Sequence, residues 1–244
     1  MLFIWDNIEI WLDTISPTCE VKQIVNKISE EADGVLSAAG WAGIGESITV
    51  TGLCSDQDSE NRGSGCVTKK IETEYKDSIN TSHAGPGGDN KGGSLKDNAG
   101  NEVICSNNEI VKIDHNSPLC NVSIEYEITD NSKGDGKLSS SGWLSKGEQA
   151  VVSAKCSETS GINSGCVTNT FSKTYNFEIE IDNAGAVNIG EGGIVKDAAD
   201  NIASCPANKV IKIDQTNPEC RAIYKTNGVV SSINKQHKKE KGLV

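Results

Sequence analysis

The chain is written twice, with its cysteines in register. Cys19 recurs as Cys120 and again as Cys220, Cys54 as Cys156, Cys66 as Cys166, and Cys105 as Cys205, each about a hundred residues on. Between the cysteines, Gly40-Trp41 returns as Gly142-Trp143, and Ser64-Gly65-Cys66-Val67-Thr68 as Ser164-Gly165-Cys166-Val167-Thr168. Lys112-Ile113-Asp114 returns as Lys212-Ile213-Asp214. A shared period of this length reads as two copies of one small domain. Each copy is large enough to bury a core and small enough to benefit from cross-links. A unique active site is hard to place in such a chain.

The register sets the expected boundaries. Leu12-Asp13 and Pro17-Thr18-Cys19 align with Ile113-Asp114 and Pro118-Leu119-Cys120. Residues 1–15 therefore read as the last strand of a preceding copy, 16–115 as the first domain and 116–216 as the second. Residues 217–244 read as the start of a third copy ending in a basic, polar tail, Lys235 to Lys241. Proline restricts its own φ and the residue before it, so the linker Asn116-Ser117-Pro118 is too short to swivel freely. The apolar opening Met1 to Trp5 has no positive flank and no cleavage site, so it is not a signal peptide, and no apolar run approaches membrane-spanning length. An export signal and anchor are expected outside this chain. The net charge of −11, without a basic stripe, argues against a nucleic-acid partner.

Nine cysteines are an odd number, explained by four per copy plus Cys220. Regular, even cysteine content within a domain points to an oxidising compartment, outside the cell or on its surface. The rival is a four-cysteine zinc site, but that uses close C-x-x-C pairs, and the nearest two here, Cys156 and Cys166, are ten positions apart. Four cysteines allow three pairings. Ile48 and Val50 alternate with Thr49 and Thr51 toward Cys54, as Ala150, Val152 and Ala154 do toward Cys156, so each cysteine sits at the end of a strand. A polar loop follows, and Cys66 or Cys166 opens the next strand. This pattern favours Cys54 with Cys66 and Cys156 with Cys166 as loop clips. Cys19 with Cys105 and Cys120 with Cys205 would then tie the first strand to the last.

In the first copy the pattern predicts strands at Cys19 to Ile28, Glu46 to Ser55, Cys66 to Tyr75, Gly93 to Asp97 and Val103 to Asp114. The second adds Thr174 to Ile181, where Tyr175, Phe177, Ile179 and Ile181 alternate with polar residues. Short strands separated by Gly- and Asn/Asp-rich turns predict an all-β fold of two tandem, immunoglobulin-like antiparallel β-sandwiches, stapled by disulfides. The run Pro17-Thr-Cys19, Gly40-Trp41, Cys54-Ser-Asp56, Asp97-Asn98-Ala99-Gly100-Asn101 and Val111 to Asp114 resembles bacterial immunoglobulin-like surface repeats. That resemblance implies tandem arrays on exported and cell-wall proteins. The second copy departs from it at Asp200, which replaces the turn glycine at a position expected to need positive φ.

No catalytic constellation converges. His83, His115 and His237 do not recur in register, and the glycine clusters lack the lysine and helix of a phosphate loop. The sharper expectation is calcium. Asp56, Asp58 and Glu60 place carboxylates at every second position, although the second copy has Ser157-Glu158-Thr159 there, so at most one copy could bind this way. A second candidate is the junction, where Asp114 precedes Pro118 as Asp13 precedes Pro17. Trp41 and Trp143 are assigned to the core rather than to sugar stacking, because a tryptophan recurring just before a core strand is a packing residue. The expectation is a non-enzymatic spacer and presentation module, with no cofactor other than calcium. Its partners would be neighbouring repeats, or a host or envelope protein or a glycan at the loops. The alternative is a calcium- or glycan-binding accessory domain of a secreted enzyme.

Overall fold

A computed structural model describes residues 12–57, 63–220, 222–226 and 229–233. Every regular element among them is a strand. β1 (Thr18–Lys27), β2 (Glu46–Ser55), β3 (Lys70–Tyr75) and β4 (Ile79–Gly85) are followed by the short β5 (Gly88–Asp89), β6 (Ser94–Lys96) and β7 (Glu102–Ile104), then β8 (Glu109–Ile113). A hundred residues on come β9 (Leu119–Ile128), β10 (Glu148–Ser157), β11 (Thr170–Tyr175), β12 (Ile179–Ala184), β13 (Ile194–Lys196), β14 (Ile202–Ser204) and β15 (Lys209–Ile213). β16 (Ala222–Thr226) and β17 (Val229–Ile233) form a hairpin.

The sheets are β1-β2-β3, β5-β4-β8 and β6-β7, then β11-β10-β9, β12-β15 and β13-β14. The chain falls into two compact units, one holding residues up to Glu125 with Val151–Thr174 and Ile181–Val210, the other Tyr126–Ala150, Tyr175–Glu180 and Ile211 onward.

In the first unit the alternation of β2 buries Ile48 and Val50, which pack with Ala42, Tyr75, Ala84, Val111 and Ile113. Fully burying side chains of this size stabilises by roughly 1.5–3 kcal/mol each. Tyr75 brings a polar tip into this core, and its hydroxyl donates to the Gly85 carbonyl and accepts from the Gly85 amide (3.2 and 3.3 Å). In the second unit Leu144, Ala150, Tyr175, Ile211 and Ile213 are buried.

Several strand expectations are corrected. Cys66 stands outside β3, in an isolated bridge with Asp97, because the chain bends after it. The run Val103 to Asp114 is two strands, β7 and β8, broken at Cys105 to Asn108. Thr174 to Ile181 is also two, because the chain leaves β11 after Tyr175 and re-enters at Ile179; Tyr175 is buried while Phe177 is 46% exposed.

Disulfides join Cys19 to Cys105, Cys54 to Cys66, Cys120 to Cys205 and Cys156 to Cys166, and Cys220 is free and exposed. No helix among the described residues is long and apolar enough to cross a membrane.

Candidate metal centres

Five acids each stand one residue past the end of a strand: Asp56 after β2, Asp97 after β6, Asp114 after β8, Glu158 after β10 and Asp197 after β13. A strand end is where the ladder stops supplying backbone partners, so a carboxylate there is free to turn inward and accept N–H groups from the next turn. With Asp13 these acids form two clusters, Asp13–Asp56–Asp97 and Asp114–Glu158–Asp197. In each, one carboxylate oxygen from every member lies within 4.8 Å of the others.

The same scaffold builds both. Asp114 is held at the strand end because its amide donates to the Ala42 carbonyl (3.0 Å). Its Oδ2 accepts the Ser164 amide (2.6 Å), as Asp13 Oδ2 accepts that of Ser64 (2.7 Å). Asp97 and Asp197 each fold a turn back on themselves. Asp97 Oδ1 takes the Asn101 amide and Oδ2 the Asn101 Nδ2, both at 2.8 Å; Asp197 does the same with Asn201, both at 2.9 Å. The positive φ expected inside this turn is present, 95° at Gly100 and 69° at Asp200.

Four of these residues are out of water, while Asp13 and Glu158 are half-buried. Asp56, Asp97, Asp114 and Asp197 are 4%, 1%, 0% and 0% exposed. Asp56 Oδ2 accepts the Gly65 amide (2.6 Å), but its buried Oδ1 has no partner, and neither buried oxygen of Glu158 has one. Among the described residues no lysine or arginine pairs with Asp114, Glu158 or Asp197. Burial, then the charges of Asp197 and Asp114, pushes the Glu158 carboxyl above its usual range. Burial also raises Asp197, against the lowering hydrogen bonds from Asn201 and Ala199. Unpartnered, desolvated like charges are costly, and two remedies exist: a proton or a cation.

The donor set suits a hard cation. It is all oxygen, and no histidine belongs to either cluster. Cys156 and Cys166 lie near Glu158, but their sulfurs are joined in a disulfide. Two oxygens on one calcium ion can be no more than about 4.8 Å apart, since each bond is about 2.4 Å.

The structure regroups the residues singled out in the sequence. Asp56 and Asp114 belong to different clusters, each completed by acids from distant strands rather than by near neighbours. Asp58 and Glu60 lie outside the described residues. Glu158, set aside because it lacks alternating acids beside it, is the counterpart of Asp56. The missed signal was recurrence, acid for acid, at positions 13/114, 56/158 and 97/197.

Of the two tryptophans assigned to the core, Trp41 is 7% exposed and Trp143 only half-buried, each with a lysine over its ring, Lys112 at 5.8 Å and Lys212 at 5.7 Å. His83 is exposed, and a ring nitrogen of His115 lies 2.8 Å from the Glu46 carbonyl; neither belongs to a cluster. No protein-family profile, no curated protein and no solved structure matches this chain.

Proposed function

We propose that the chain is a non-enzymatic spacer and presentation module of an exported or cell-surface protein. It would be built of tandem immunoglobulin-like sandwiches, with the entry to each set by a bound calcium ion. One observation carries this reading: the same three-acid cluster occurs twice, and each time one acid comes from the segment just ahead of the first long strand of a copy, Asp13 before β1 and Asp114 before β9. An ion at that point ties the incoming chain to the ends of two later strands. The four disulfides support an oxidising, extracellular setting.

The test is thermal unfolding and calorimetric titration of the oxidised protein with calcium against chelator. Calcium at a hundred times its dissociation constant stabilises by about 2.7 kcal/mol per site, a rise of roughly 5–10 °C for a chain of this size. Asp97→Asn together with Asp197→Asn should remove that rise. An unchanged midpoint with no heat of binding would refute the calcium reading.

A further inference from the structure

We infer that Asn201 couples ion occupancy at Asp114–Glu158–Asp197 to the docking of its own turn on residues 37–44. It is a positioning residue, and the inference rests on the calcium reading above. All the groups involved lie in the first unit.

The two ends of one buried amide face different ways. Asn201 Nδ2 donates to Asp197 Oδ2 (2.9 Å), to the Asp114 carbonyl (2.9 Å) and to the Asn116 carbonyl (3.2 Å). Its Oδ1 accepts the backbone amide of Ile44 (2.8 Å). The side chain is 6% exposed, so neither end exchanges its partners for water at low cost. The turn is seated at a second point as well, because Ser37 Oγ donates to the Ala198 carbonyl (2.6 Å). Close approach is required: a Cβ on Gly43 would come within 2.5 Å of the Ala199 carbonyl oxygen and 3.0 Å of Asn201 Oδ1.

Asn101 supplies the internal comparison. Its Nδ2 makes the same three bonds, to Asp97 Oδ2 (2.8 Å), the Asp13 carbonyl (3.3 Å) and the Ile15 carbonyl (3.1 Å). Its Oδ1 accepts nothing among the described residues, and the side chain is only half-buried. The bond to Ile44 is therefore what Asn201 adds. An ion that draws Asp114 and Asp197 together fixes two of the three residues that hold Nδ2, and with them the direction in which Oδ1 points.

The readout is hydrogen exchange of the Ile44 amide, measured with and without calcium, beside calorimetric calcium binding. In the unaltered chain calcium should slow Ile44 exchange at least tenfold. Asn201→Ala should lose the calcium effect at Ile44 at saturating calcium, while Asn101→Ala should leave that effect intact. Gly43→Ala, which blocks the seat without touching the cluster, guards against an Asn201 variant that does not fold. It too should bind calcium and leave Ile44 unprotected. Calcium binding with Ile44 exchange unchanged in the unaltered chain, or a full calcium effect in Asn201→Ala or Gly43→Ala, would overturn the coupling alone. Absence of any calcium heat would overturn both the coupling and the reading beneath it.

Discussion

At the scale of single residues, this protein places carboxylates where water is scarce and settles each by its neighbours. Glu148 is 2% exposed and accepts the amides of Asp135, Gly136 and Ser145 and the Ser145 hydroxyl. Burial pushes its pKa up, but those bonds outweigh burial and hold it at about 2. A depressed folded-state value means stability that is fully present above the unfolded value and is lost as pH falls through the folded one. Unfolding midpoints should therefore decline between about pH 5 and pH 2, and Glu148→Gln should remove that part of the decline while lowering stability at neutral pH by about 1–2 kcal/mol. Glu158 has the opposite sign. Its carboxyl is raised, so without metal its neutral form favours the fold at low pH, and that contribution is lost as pH rises.

At the scale of elements, strands end where the chain needs a side chain to turn inward, and disulfides lock those ends. Cys19 lies directly opposite Cys54 in the β1–β2 ladder, yet the two sulfurs do not join each other. Cys19 reaches back to Cys105 beside Gly52, where a Cβ would sit 2.9 Å from both sulfurs of that bond. Replacing Cys19 and Cys105 by alanine closes no loop across 86 residues, whereas replacing Cys54 and Cys66 releases one of 12. The chain-entropy relation gives about 4.6 kcal/mol for the first and about 3 kcal/mol for the second. Denaturant titration of the two double variants should rank them in that order, and equal losses would count against the entropic account. Gly52→Ala should destabilise even with all bonds intact, because both the sulfurs and Pro86 block the added carbon.

At the scale of the whole molecule, residues that match a hundred positions apart in the sequence differ in their surroundings. Trp41 is buried and Trp143 half-buried, so Trp41→Ala should cost about 3–5 kcal/mol and Trp143→Ala clearly less, as chemical denaturation will show. Ser145 stands where Gly43 gives the turn its room, so the surface that receives Ala199 is not reproduced a hundred residues on. Much of the plan was legible without coordinates. Period-two alternation marks β2 and β10, Gly/Asn/Asp clusters mark the turns, and Asp200 was expected at positive φ. Alternation failed at Tyr175 to Ile179, since a polar–apolar rhythm does not record where a chain turns away from its sheet.

What the sequence determined by itself is the all-β character, the recurrence and the course of β2 and β10, because these follow from local pattern and from spacing along one dimension. What only the tertiary structure decided is which acids meet. Asp13, Asp56 and Asp97 are about forty residues apart from one to the next, and no local rhythm links them. They converge because β2, β6 and the segment before β1 deliver their ends to one place. Burial there strips the carboxylates of water and turns three ordinary acids into a cluster suited to a cation.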